Sequence, residues 1–309
     1  MFRRIVFFLL LCASSWPLAA ADCAVTRQVT PGDTIPQLAG LYFGDSRFWP
    51  SIVLATNSRP KDFHFVSDLD DLRNVPKLCI PEMEEAKRWR MRYEQYLSAI
   101  AAAALPEKSE APKKLVEFPA DQPLTVATWI RETQLGQYRN ASGWRTTAPS
   151  EIWVTVEPWL RKFCREFVAH GNNLDQLIER LEERLGLPPA SNKNTFLEIR
   201  LNWPSSDVIF RPCLDPATDK TDCPAGPPSA ATSEQHLNWI YRQYYSSYGE
   251  SRLSSFPWTN LGYTFDWAPG SPGGGVFQRV GESEFVIREG APIEILGEMD
   301  TARYCQPEK

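Results

Sequence analysis

Between Cys23 and Pro81 the spacing of apolar side chains switches from extended to helical and back. Ala24 to Val29 reads as an extended run entering a Pro31-Gly32 turn, where Asp33 or Thr34 is placed to cap the free amides of a helix. Ile35, Leu38, Ala39, Tyr42 and Phe43 then fall at helical spacing until Gly44 stops them. Asp45 and Ser46 restart the chain into a second short helix, with Trp49, Ile52, Val53 and Ala55 facing the first and Asn57 at its end. Leu78 to Pro81 reads as a returning strand, so the order predicts one βααβ unit.

Glu82 to Ala104 predicts a longer helix. Glu82, Glu84 and Glu85 suit its positive end, and Trp89, Tyr93, Tyr96, Leu97 and Ile100 form an interrupted apolar face. It either packs across the first unit or serves as a solvated connector, since Leu105-Pro106 and the Lys/Glu/Pro-rich stretch to Lys114 read as a hinge. Leu124 to Leu135 suggests a short helix through Val126, Trp129, Ile130 and Thr133, followed by loop from Gly136 to Ser150. Trp153, Val156, Trp159, Leu160, Phe163, Cys164 and Phe167 predict a helix, and Leu174, Leu177, Ile178, Leu181 and Leu185 its hairpin partner. Phe196–Leu201 and Val208–Phe210 read as short strands, Leu237 to Tyr248 as a helix, and Ser283–Ile287 and Pro292–Leu296 as terminal strands. The expected class is α+β: a βααβ module over 22–81, a helix and linker over 82–114, and a disulfide-containing mixed domain over 115–309.

The first unit resembles a LysM module. The residues that carry the likeness are Val29 to Ile35, Leu38-Ala39, Tyr42 to Asp45, Phe48 to Pro50, Ile52, Ala55 to Asn57, Leu78, Ile80 and Pro81, about a fifth of the chain. The resemblance implies binding of glycans with N-acetylglucosamine units, peptidoglycan or a chitin-like polymer. It places the groove between Gly32, Asp33 and Thr34 on one side and the segment from Asn57, Ser58 and Arg59 to Lys61 on the other. The connection Lys61 to Pro76 is longer than the family's and carries Phe63, Phe65, Asp68, Asp70 and Asp71, while Val75 stands where the family has Gly.

Targeting and charge sharpen this picture. Arg3 and Arg4 precede the apolar run Ile5 to Cys12, and Ala19-Ala20-Ala21 offers small residues for cleavage, the pattern of a signal peptide over 1–21. The expected location is therefore periplasmic or secreted, against the wall, with no integral membrane segment after cleavage. Taking Arg3 and Arg4 from the 33 basic residues leaves 31 against 38 acidic ones, a formal charge of −7, which disfavours a nucleic-acid partner. Six cysteines remain: Cys23, Cys79, Cys164, Cys213, Cys223 and Cys305. An even set in an exported chain favours disulfides, and six cysteines allow 15 pairings. Cys23–Cys79 ties the two strands of the first unit, Cys213–Cys223 brackets a polar turn, and Cys164–Cys305 is the remaining pair; only the first has topological support of its own.

Enzymatic chemistry is less legible, and whether the chain is an enzyme stays open. Glu282-Ser283-Glu284 is similar to the Glu-x-Glu strand of some ADP-ribosyltransferases. That likeness would put both carboxylates on one strand face, Glu284 stabilising a cationic ribose-like transition state and Glu282 orienting an acceptor, with Arg242 or Arg252 on the phosphates of NAD. No Ser-Thr-Ser strand stands upstream. A peptidoglycan hydrolase using acids such as Asp266 and Glu284 is the other enzymatic alternative. The three histidines, His64, His170 and His236, lack metal-ligand spacing, and Gly270 to Gly275 lacks the spacing of a phosphate loop, so no metal or cofactor is expected. Asn140-Ala141-Ser142 matches a glycosylation acceptor, a tripeptide that recurs by chance. The reading the sequence favours is noncatalytic attachment to wall glycan.

Overall fold

Helix α1 (Ile35–Phe43) begins where the sequence supplies an acceptor: the Thr34 side chain takes the Gln37 amide at 3.4 Å, and Pro36 occupies the first turn. It ends at Gly44, whose φ of 74° lets its N–H turn back onto the Gly40 carbonyl. A single turn over Ser46–Phe48 leads into α2 (Trp49–Asn57), which is buried along its whole length. Strands β1 (Val25–Gln28) and β2 (Lys77–Ile80) pair antiparallel on the outside of this helix pair. Their register sets Thr26 opposite Cys79, and Cys23 is disulfide-bonded to Cys79. The computed structural model describes residues 22–69, 71–106, 111, 114–118, 120–139, 145–223, 225, 232–248, 253, 255–269 and 279–307. The leader 1–21, most of the hinge 107–113, Asn140-Ala141-Ser142, Arg252 and the glycine-rich run 270–275 lie outside them.

The connection 58–76 is folded onto the head rather than left as a flap. Phe63, Val66 and Val75 are buried in the same core as Ile35, Ile52 and Leu78. Asn57 holds it at mid-length: its Nδ2 donates to the Val66 carbonyl at 3.0 Å, and its Oδ1 accepts from the Val66 amide at 2.7 Å.

Helix α3 (Met83–Ala103) is a brace between two cores, not a solvated connector. Trp89 and Tyr93 enter the head core, and Tyr93 meets Trp49 edge-on. One to three turns later Tyr96, Ala99 and Ala103 pack against Phe265 and Trp267 of the distal domain. Burial of several aromatic rings on both ends outweighs the charged surface that made the helix look solvent-facing, at about 2–3 kcal/mol per large side chain.

The distal domain is built on an eight-stranded antiparallel sheet. Its strands are β3 (Leu124–Ile130), β4 (Arg145–Thr147), β5 (Ile152–Val156), β6 (Thr195–Leu201), β7 (Ile209–Phe210), β8 (Tyr263–Phe265), β9 (Val280–Ile287) and β10 (Pro292–Asp300). The order is β4-β10-β6-β3-β5-β9-β7, with β8 on β9. Helices α4 (Trp159–Ala169) and α5 (Leu174–Arg184) cover one face through Ala127, Trp129 and Phe196. Helix α6 (Glu234–Tyr248) covers the same face further along, over Val286 and Trp153. The other face, with Val126, Val154, Ile199, Phe285 and Ile295, lies beneath Phe118 and Tyr138. The terminal turn α7 (Thr301–Tyr304) is pinned to α4 by the Cys164–Cys305 disulfide, and Cys213–Cys223 closes a third loop.

Three sequence expectations change here. Leu124 to Leu135 is not a helix: its first seven residues are a central strand, followed by a 3₁₀ stretch over Glu132–Tyr138. A strand covered on both faces loses the alternation that marks half-buried strands, and Val126, Trp129 and Ile130 happened to fall at helical spacing. Trp153 and Val156 belong to β5, and α4 starts only at Trp159, beyond Pro158. The stretch expected as loop to Ser150 contains β4, an edge strand of three residues. Among the described residues no helix is long and apolar enough to cross a membrane.

Candidate functional site

At the head, the turn that opens α1 is held from within. The Asp33 carboxylate accepts from the Thr30 amide at 2.8 Å, the Thr30 hydroxyl at 2.9 Å and Arg27 at 3.1 Å. These bonds, the Thr30 amide foremost, hold its carboxyl below the usual range. Gly32 takes a φ of 92°, a conformation that other residues adopt only under strain. Pro31, Gly32 and Thr34 are exposed, and the Val29 amide donates to the Pro76 carbonyl, so this turn lies at the end of the unit where the 58–76 connection returns.

The opposite wall of the expected groove is different from its sequence reading. Asn57 is buried and spends its amide on Val66. Arg59 is buried too: its guanidinium donates to the Ala55 carbonyl at 2.7 Å and to Glu85 of α3 at 2.9 and 3.2 Å. Both side chains therefore hold the fold and do not face the expected groove. Ser58 is half-buried, its hydroxyl on the Ala55 carbonyl, while Lys61 is exposed.

In the distal domain the two glutamates of Glu282-Ser283-Glu284 part company. Glu282 is buried and paired with Arg184, whose Nε donates at 2.8 Å. Glu284 faces a cavity of about 370 Å³. Its Oε2 is shut off from solvent without a hydrogen-bond partner, and burial pushes its carboxyl up to about 8, so the neutral acid dominates at neutral pH. Asp266 is not brought to it: Arg180 grips that carboxylate at 3.0 and 2.6 Å. Arg242 stands outside the lining, its guanidinium 3.9 Å from Glu151 and largely in solvent.

The cavity exists because the sheet opens. Strands β3 and β5 pair only at Val126↔Val156 and Ala127↔Thr155, and beyond that point residues 128–130 and 152–154 face the cavity from opposite sides. Lys193, a residue with no motif around it, fills part of the opening: its Nζ donates to the Trp129 carbonyl at 2.7 Å. Burial, with Arg131 nearby, lowers its ammonium to about 8. The loop that delivers it is held by Glu182 of α5, which accepts from the Ala190 and Ser191 amides at 3.1 and 2.7 Å. Ala190 and Asn192 take φ values of 55° and 59°, so this backbone is over-determined by its anchor.

The histidines serve structure. His236 is buried against Trp239 with its Nε2 at the Cys213 carbonyl, His170 caps its own helix at the Glu166 carbonyl, and His64 meets the Asn74 carbonyl. Among the described residues no group of three His, Cys, Asp or Glu side chains is arranged to hold a metal ion. No protein-family model matches the chain, and neither curated proteins nor solved structures give a match.

Proposed function

We propose that the protein is an exported, noncatalytic binder of N-acetylglucosamine-containing glycan, peptidoglycan foremost, acting through its N-terminal unit. The observation that carries this reading is the turn at 30–34. It presents Pro31, Gly32 and Thr34 at one end of the βααβ unit, and its shape is set by Asp33 before any ligand arrives. A preformed turn loses little freedom on binding, the condition under which a shallow edge holds a flexible polymer. Lys61 is exposed on the 58–76 connection and offers a long donor. The likeness of Val29 to Ile35 and its neighbours to LysM modules supplies the ligand class. Three disulfides agree with life in an oxidising compartment.

The test is co-sedimentation of the full mature chain with purified peptidoglycan and with chitin. Binding without loss of glycan is expected, and Gly32→Arg, which projects a long side chain from the exposed turn, should abolish it. A folded protein that leaves both polymers in the pellet alone, or a Gly32→Arg variant that binds as the parent does, would overturn the reading.

A further inference from the structure

The cavity between β3 and β5 takes no part in the head's edge, yet its construction asks for an occupant. In an antiparallel ladder alternate residues direct their backbone groups to the same neighbour. The Glu157 amide bonded to the Thr125 carbonyl fixes the phase, so Thr125, Ala127 and Trp129 aim at β5. Continuing the register of Ala127↔Thr155 would set Trp129 opposite Trp153. The ladder stops before that pair, and the Trp129 carbonyl takes a lysine ammonium in place of a strand amide.

We propose that this opening is a binding site for a small carboxylate-bearing sugar, with Lys193 on the carboxylate and Glu284 as a neutral donor to the ring. The inference rests on the wall-glycan reading above, of which it names the acidic unit. Three features select that chemistry. An ammonium has three protons and Lys193 uses one on Trp129; among the described residues no carboxylate pairs with it, so its charge is available to an anion. Glu284 has an unpartnered oxygen in the same cavity and, as an acid, gives a hydroxyl donor rather than a second charge. The remaining walls mix aromatic rings, Trp153, Phe256 and Trp258, with neutral amides and hydroxyls, Gln134, Gln243 and Ser247, and one further carboxylate, Glu151, which accepts from the Trp239 indole at 2.9 Å and has Arg242 at 3.9 Å. Flat apolar faces beside uncharged donors and acceptors suit a ring that carries C–H on its faces and hydroxyls on its edge. The volume, near 370 Å³, is in the lower range of small-molecule sites. An extended peptide is the less favoured occupant, because the open backbone edge it needs at Trp129 is already taken.

Titration of the full mature protein at pH 6.5, followed by calorimetry, tests this with N-acetylmuramic acid, N-acetylglucosamine and lactate. The first carries ring and carboxylate together, the others one each. N-acetylmuramic acid is expected to bind at least tenfold more tightly than either. Lys193→Met should remove the preference over N-acetylglucosamine, and Glu284→Leu should weaken both sugars together. Equal affinity for the two sugars in the parent protein, a comparison that needs no variant, would overturn the proposal. Lactate binding as tightly as the sugar acid would overturn the sugar assignment. Gly32→Arg separates this site from the head: polymer binding should vanish while the sugar acid still binds. Loss of sugar-acid affinity in that variant, folded, would move the site to the head and overturn the cavity assignment.

Discussion

Asn57 imitates a strand for Val66, exchanging both a donor and an acceptor with one residue nine positions further on. That pairing converts a long connection into part of the head core and explains why a residue expected to face a sugar is turned inward. Asn57→Ala strands two buried backbone groups of Val66, so a loss of about 2–3 kcal/mol is expected from denaturant unfolding. Polymer binding by the remaining folded fraction should be unchanged. A variant as stable as the parent would mean that water replaces the amide without penalty.

Glu284 makes the protein less stable as the solution becomes more alkaline. Its carboxyl is raised from 4.5 to about 8 by burial, so the penalty is absent below about pH 4.5, grows as pH rises, and is complete above about pH 8. Glu284→Gln removes the titration while keeping the shape. The variant should gain on the parent with rising pH, by roughly 3 kcal/mol at neutral pH, with the two curves converging in acid. Thermal melts at half-unit intervals check this, and parallel curves would show that Glu284 is solvated after all.

The head was legible in the sequence because its signals are local. Thr34, Pro36 and Gly44 each act within one turn of chain, and the element order follows from them without long-range information. The distal sheet was not, since β3 sits between β6 and β5 and is covered on both faces, which erases the period that distinguishes a strand. The candidate site divided in the same way. The alternation of Glu282 and Glu284 pointed to one strand face, but nothing local told that Arg184 would consume the first and leave the second bare. Lys193 sits between two asparagines on a connecting loop, and only the halted β3–β5 ladder gives it meaning. Arg59 shows the converse: its partner Glu85 lies 26 positions away on α3, and no local pattern links the two.

The two crosslinks of the distal domain should differ in weight. Cys164–Cys305 spans 141 residues and fastens the last turn of the chain to α4, whereas Cys213–Cys223 spans 10. Loop-closure entropy grows with span, so replacing the first pair by alanines should cost about 4–5 kcal/mol and the second about 2–3 kcal/mol. Denaturant midpoints of the two double variants under oxidising conditions check the order. A reversal would show that the short loop around buried Arg211 depends on its bridge more than entropy predicts.

Arg92 is the point at which α3 couples head to distal domain. Its guanidinium reaches Glu179 and Glu183 of α5, each at 3.1 Å, and lies 3.9 Å from Glu182, while its plane stacks over Trp267. Glu182 and Glu183 are both buried, and desolvation already raises their carboxyls, Glu182 to about 7. Arg180 remains near Glu183 at 3.8 Å, but Glu182 has no second cation among the ion pairs of the described residues. Removing Arg92 therefore leaves a buried acid to its backbone donors at Ala190 and Ser191, the same contacts that shape the loop carrying Lys193. Arg92→Ala should cost about 3–5 kcal/mol. Because the loss falls between two cores rather than within one, calorimetry should resolve two melting transitions where the parent shows one. Arg92→Ala combined with Glu182→Gln should recover part of the loss, and most visibly above about pH 7, where the parent carboxylate would otherwise stand charged and unpaired. A single transition in Arg92→Ala, shifted but still cooperative, would mean that the aromatic contacts of Tyr96 and Trp267 couple the domains without help from the ion pairs.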